Sequence, residues 1–409
     1  MFFRSIKFKH KNVQLIIIAL TYPLMTWPQN LIFENNIDIL SNKTKTESTY
    51  FETKMNKSLF LPEFSINTGL GSEYILDNAE KKQGPYLYVE GKINLYKGGR
   101  DLNQEKINQL TLIKLDSERE ILIRKTKTSA FKLISNIKTI EIDNHFLEEE
   151  IKENDNQLKM ARKKVDAGLT SPSDLLDFQI KSETLQNEIA INELKISDLK
   201  KDLELLLGDK LTFEKIENEL RSIDQLVIKS NLSTNNPEIQ FLKNSISVSQ
   251  IELLNIKSEY LPILELEGKY GNITPNSKLF ENKIEHQVLL NLNIPLFSGL
   301  TTDAKKNKAI LELTQREREL RQLKFELEKK SLQEKIKIEL NEKITATLEK
   351  SLEKSSKYKE ITITEYKRGV KNSSDVVNAS DKKLDLIRKI NELKHEKENL
   401  IYSFNINFL

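Results

Sequence analysis

Two aspartates, Asp174 and Asp375, hold the same place in a motif that occurs twice. Gly168-Leu-Thr-Ser-Pro-Ser-Asp-Leu-Leu returns as Gly369-Val-Lys-Asn-Ser-Ser-Asp-Val-Val, with an offset of 201 residues. Ser173 and Ser374 are placed to cap a helix, and both carboxylates then fall in its first turn, where negative charge is favoured. The chemistry on offer is electrostatic. Such a carboxylate stabilises a helix N-terminus, and where copies face a common axis it attracts cations within a Debye length of about 8 Å. Other reactive groups are scattered. The four histidines are His10, His145, His286 and His395, and there is no cysteine. Gly98-Gly99 is a turn and not a phosphate loop, because no Lys-Ser/Thr opens a helix after it. Glu148-Glu149-Glu150 reads as a solvated helix face. No enzyme, cofactor or metal site is expected.

The elements that carry these aspartates are long. From about Arg100 to Asp166, and again from about Thr301 to Arg368, there is neither Pro nor Gly. Apolar residues recur there at helical spacing, as Leu102, Ile107, Leu110 and Ile113 and as Leu311, Leu320, Leu323 and Leu327. Each stretch predicts a helix near 100 Å long at about 1.5 Å per residue. The glycine of the motif ends it, and a return helix of about 35 residues follows. Two shorter helices are expected at 35–60 and 236–260. Their starts, Asn35-Asn36-Ile37-Asp38-Ile39 and Asn235-Asn236-Pro237-Glu238-Ile239, match at an offset of 200. A return helix alone does not balance the long one. The expectation is that 173–207 stacks end to end on 236–260, and 374–407 on 35–60.

After Leu61-Pro62 and Leu261-Pro262 the period changes to two. Phe64, Ile66, Thr68 and Leu70 alternate with polar residues or Gly, as do Leu87, Val89, Gly91, Ile93 and Leu95. Leu264, Leu266, Gly268 and Tyr270 do the same, and then Val288, Leu290, Leu292 and Ile294. These predict four strands of about nine residues with one apolar and one polar face, a length that suits a transmembrane β-barrel. Tyr74, Tyr86, Tyr96, Phe280 and Phe297 would form an aromatic girdle. Four strands cannot close a barrel, and open edges are not tolerated in lipid. Copies from other subunits must complete it, two giving eight strands and three giving twelve.

Composition agrees. Charged residues make up 31% of the chain against only 12 Gly and 9 Pro, which suits solvated helices. The net charge is +3, but Arg4, Lys7, Lys9 and Lys11 lie in the first 30 residues without any acid, so their removal leaves −1. Such a chain has no electrostatic footprint for nucleic acid. The basic start and the apolar run Val13–Met25 read as a signal peptide over 1–29. The remaining organisation is a first repeat at 30–208, a connector at 209–235 and a second repeat at 236–409.

The repeat, the Leu-Pro before each first strand, the aromatic-x-Gly turns and the Gly-…-Ser-Asp-aliphatic motif make the chain resemble the outer-membrane efflux proteins typified by TolC. The resemblance covers nearly all of the chain after the signal. It implies a homotrimer in which a 12-stranded β-barrel in outer-membrane lipid continues as a long α-helical barrel, with an equatorial domain at the connector. It implies an exit duct for efflux or type I secretion, working with a periplasmic adaptor (membrane fusion) protein and an inner-membrane transporter. It also implies a gate at the periplasmic entrance. Asp174 matches a link position, with Tyr366 and Lys371 as partners. Asp375 matches an acidic ring, and Asn378 stands where a second Asp is common. A soluble periplasmic coiled-coil protein, structural or adaptor, would account for the charged helices but not for two strand pairs at one repeat period.

Overall fold

The computed structural model describes residues 33, 35–58, 61–75, 80–208, 236–275, 284–297 and 299–408. The expected signal peptide, the connector at 209–235 and Phe280 lie outside the described residues, as does the Tyr74 side chain. The element order repeats. Helix α1 (Ile37–Ser58) leads to strands β1 (Glu63–Ile75) and β2 (Glu80–Lys97), then to the 67-residue helix α2 (Arg100–Asp166) and its return α3 (Pro172–Leu207). The second copy has α4 (Pro237–Lys257), a 3-10 turn at Ser258–Tyr260, and strands β3 (Ile263–Asn272) and β4 (Glu285–Asn293). It ends with α5 (Thr301–Lys367), also 67 residues, and α6 (Ser373–Phe408). No helix among the described residues is long and apolar enough to cross a bilayer.

The long helices form where the sequence lacks breakers, and each stops at a glycine with positive φ, 67° at Gly168 and 81° at Gly369. Both stops close the same way. The Gly168 N–H donates to the Val165 carbonyl at 2.9 Å and the Leu169 N–H to Lys164 at 2.8 Å; Gly369 and Val370 repeat this on Tyr366 and Glu365. An L-residue is disfavoured at such a left-handed position. The return helices begin earlier than the serines Ser173 and Ser374 suggested. Pro172, with its fixed φ, takes the first helical position of α3, so Ser171 is the cap and accepts from the Ser173 N–H. In α6, Asn372 Oδ1 accepts from the Asp375 N–H at 2.9 Å while Asp375 accepts from the Asn372 N–H at 3.3 Å. That reciprocal pair is a capping box.

The four strands form one antiparallel meander in the order β1-β2-β3-β4. The register sets Ile66 opposite Val89, Val89 opposite Tyr270, Leu266 opposite Leu290, and Gly268 opposite Val288. One face is therefore apolar, and its Phe64, Ile66, Leu70, Val288, Leu290 and Leu292 remain exposed. The other face carries Asn67, Glu90, Lys92, Glu265, Glu267 and Lys269. Two details bear on the alternation and the expected girdle. A bulge between Asn94 and Tyr96 leaves Leu95 unpaired and sets Tyr96 opposite Leu264, on the apolar face. Tyr86 belongs to the polar face, across from Gly69, where a Cβ would lie 2.6 Å from the Tyr86 hydroxyl. Tyr86 thus covers a glycine and is not a girdle residue. β1 and β2, at 13 and 18 residues, also outrun the expected nine.

Helix stacking differs from expectation in its pairing. α3 ends beneath the start of α1, and α6 ends beneath the start of α4. Asn36 Nδ2 donates to the Leu206 carbonyl, and Asn236 Nδ2 to the Asn407 carbonyl, both at 2.8 Å. Stacking follows spatial neighbourhood. α3 retraces α2 from the hairpin, both α1 and α4 line the rest of α2, and the Asn36 and Asn236 bonds show which of the two each return helix meets. Apolar side chains seal both joints: Phe33, Ile39, Leu203 and Leu207 at one, and Ile239, Leu327, Phe404 and Phe408 at the other.

Candidate functional site at the helical turns

The two hairpin ends lie side by side and share a small core of Ala161, Phe178, Tyr366 and Val376. Tyr366 and Phe178 meet edge to face, with centroids 5.8 Å apart. Lys164, in the last turn of α2, reaches across the repeats. Its Nζ donates to the Tyr366 carbonyl and sits 4.0 Å from the centre of the Tyr366 ring. A cation there complements the negative end of α5 and the face of the ring together.

Asp174 is buried and fully engaged. It accepts from Thr170 Oγ1 in its own turn and from Ser373 Oγ in the other repeat, the latter at 3.0 Å. The same Ser373 hydroxyl lies 2.6 Å from Asp177. A hydroxyl has one proton, so the two carboxylates compete for it. Tyr366 is buried, and its Oη has no hydrogen-bond partner among the described residues. Burial, followed by the nearby Asp174 charge, pushes its pKa up to about 12. Tyr366 is thus a neutral donor near Asp174 without being bonded to it. Lys371 does not join Asp174 either; its Nζ lies 3.7 Å from Asp375 in the next turn. Within one protomer the cross-repeat partner of Asp174 is thus Ser373, and neither Tyr366 nor Lys371 bonds it.

Asp375 is half-exposed and closes the capping box, so its helix-terminal role is realised. Asn378, one turn on, is exposed, while Val376 and Ala379 are buried. Asp375 and Asn378 thus share a face turned away from the hairpin core.

Behind the tip a seam of polar contacts joins the two repeats. Lys359, only 3% exposed, lies 2.9 Å from the buried Glu150 and 2.8 Å from Glu153. Further along, Lys181 meets Asp381, Arg388 meets Glu188 at 3.0 Å, and Asn391 donates to Asp143 at 3.0 Å. Beside the α1/α3 joint the seam turns apolar, and Phe131 stacks on Tyr402 at 3.9 Å. Lys359 was missed as a site residue, though its spacing to Thr362 and Tyr366 places all three on one buried helix face. Ser373 was missed because the first copy has Pro172 in its place. No group of metal-ligating side chains occurs among the described residues.

No family model matches the sequence, and no curated protein matches it. Solved structures do. CusC, described for its transmembrane channel formation, superposes with a TM-score of 0.75 over 92% of this chain and 90% of its own, at 13% identity. The outer-membrane channel OprN gives 0.75 over 93% and 89%, at 11% identity. The Campylobacter jejuni CmeC outer membrane channel gives 0.73 over 92% and 84%, at 14% identity. The fold is that of outer-membrane channels. More particularly it is the TolC-like fold that the repeat and its motifs implied, with four strands in the chain.

Proposed function

We propose that the protein is the outer-membrane exit duct of a tripartite efflux or type I secretion system, a passive conduit that projects into the periplasm. The observation that carries this reading is the sheet. It has an exposed apolar face, a charged opposite face and two outer strands that each pair on one side only, and it adjoins helices about 100 Å long. A soluble protein would cover such a face, whereas a barrel in lipid requires it outside and the charges inside. Three protomers would give twelve strands, and the TolC-like fold supports that number. Partners on this reading are a periplasmic adaptor and an inner-membrane transporter.

The helical turns form the periplasmic entrance. Contact between Ser373 and Asp174 ties the two hairpins of a protomer; Tyr366, buried behind that contact, and the half-exposed Lys371 are the further link candidates, with Lys371 the one that can reach a neighbouring protomer. Asp375 and Asn378 line the entrance, one acidic ring with a neutral ring beside it.

Cell fractionation tests the assignment. A heat-sensitive trimer in the outer membrane is the expected result, and a soluble monomer refutes it. For the gate, Ser373→Ala with Asp174→Asn should raise the influx of large antibiotics, while unchanged influx removes these residues from the gate. Asp375→Ala should lower cation preference in single-channel recordings.

A further inference from the structure

Five charged side chains gather on the polar face of β2 and β3, at the end of the molecule away from the helical turns. Glu90 stands opposite Lys269, and Lys92 opposite Glu267. Lys92 Nζ lies 3.1 Å from Glu265, and Lys269 Nζ 2.6 Å from Glu267. Neutral donors complete the set: Asn67 Nδ2 reaches Glu90 at 2.7 Å, and Asn291 Nδ2 reaches Glu267 at 3.3 Å. All of these residues alternate with Val89, Gly91, Leu266 and Gly268 of the apolar face.

The belt sits where the two repeats join. β1–β2 and β3–β4 are hairpins, but β2 and β3 belong to different repeats, and no turn sets their register. A slip of one residue would exchange the two faces. The crossed pairs make that slip costly, because it would turn Lys92 and Lys269 toward the apolar side.

We infer that this belt is a second electrostatic determinant of permeation, on the barrel wall and independent of the acidic position at the helical turns. The inference rests on the duct reading, since only a closed barrel turns this face to a lumen. With Glu63 of β1 opposite Lys92, four carboxylates and two lysines leave each protomer with two net negative charges in the belt, so the two lysines offset half of its acidic charge. The solute class it acts on is small ions and charged cargo. Removing the lysines doubles the net negative charge of the belt, whose field reaches across the lumen in dilute salt, where the Debye length is about 30 Å.

The test is the reversal potential of the purified trimer in a planar bilayer under a dilute KCl gradient. Lys92→Gln with Lys269→Gln should raise the cation-to-anion permeability ratio at least about two-fold, as charged rings do in pores. Glu90→Gln, which keeps an acceptor for Asn67, should lower the ratio. The exchange of Lys92→Glu with Glu265→Lys preserves both the pairing and the net charge and should leave the ratio where it was. An unchanged ratio in the lysine double variant overturns the inference. If that variant does not assemble, an unchanged ratio in Glu90→Gln overturns it instead. A charge exchange as disruptive as neutralisation also overturns it, by showing the pairs to be structural only. A wild-type protein that forms no pore refutes the duct reading, and this inference with it.

Discussion

Asn36 spans a break between two helices and bonds to both. Its Oδ1 accepts from the Asp38 and Ile39 N–H groups at 3.0 and 3.2 Å, capping α1, while its Nδ2 donates to the Leu206 carbonyl in the last turn of α3. Asn236 does the same between α4 and α6, capping through Glu238 at 2.9 Å and donating to Asn407. An orphan donor at one helix end and an orphan acceptor at the other are satisfied by one amide, so each stacked pair behaves as a spliced helix.

Asn36→Asp and Asn36→Ala separate the two bonds. The aspartate keeps the cap but places a carboxylate against the Leu206 carbonyl. The alanine loses the cap, worth about 1 kcal/mol, and leaves the carbonyl without its partner, at about 1–3 kcal/mol more. Both variants should lower the urea midpoint and open the joint to limited proteolysis. If Asn36→Asp behaves as wild type, the donated bond contributes nothing.

Lys359 and Glu150 form a buried ion pair between the repeats. Lys359→Met leaves Glu150 uncompensated and should cost about 3–5 kcal/mol, whereas Lys359→Met with Glu150→Leu should recover most of that loss. Thermal unfolding of the three proteins gives the comparison. Equal losses in the single and double variants would show that the pair is not coupled.

Leu300 opens α5 with a φ of 64°, in the place that Gly99 takes before α2 with a φ of 77°. A left-handed leucine costs roughly 1–2 kcal/mol. Leu300→Gly relieves this and should stabilise the protein by about 1 kcal/mol, less the entropy that glycine returns to the unfolded chain. The reverse change, Gly99→Leu, should destabilise it. Chemical denaturation checks both signs.

Asp143 is held above the usual carboxylate range, first by burial, against the opposing hydrogen bond of Asn391 and the charge of Arg388. Its folded pKa exceeds the unfolded value, so the native state binds the proton more tightly. Stability from this group is therefore greatest below the unfolded pKa and falls as pH rises through the folded one. Asp143→Asn keeps an oxygen for Asn391 and removes the ionisation. It should raise the melting temperature at neutral pH by more than at pH 4. A gain that does not depend on pH would refute the assignment.

Much of this protein was legible in its sequence, for a local reason. Helix length follows from the absence of Pro and Gly over 67 residues, the hairpin ends from Gly168 and Gly369, and the faces of the sheet from a period of two. Each of these is decided by chain stereochemistry and near neighbours. The positions of Asp174, Tyr366, Lys371, Asp375 and Asn378 at the turns were legible through the repeated motif. Their partners were not. Tertiary packing decided that Asp174 bonds Ser373 and that the Tyr366 hydroxyl is left without a partner among the described residues. It also decided that α3 stacks on α1 and not on α4, and that Lys359 is buried against Glu150. These contacts join residues about 170 to 210 positions apart. A hydrogen bond needs its two groups within a few tenths of an ångström of the right distance. Local pattern places an element to within a few residues, and only the packed fold fixes which side chain comes within reach.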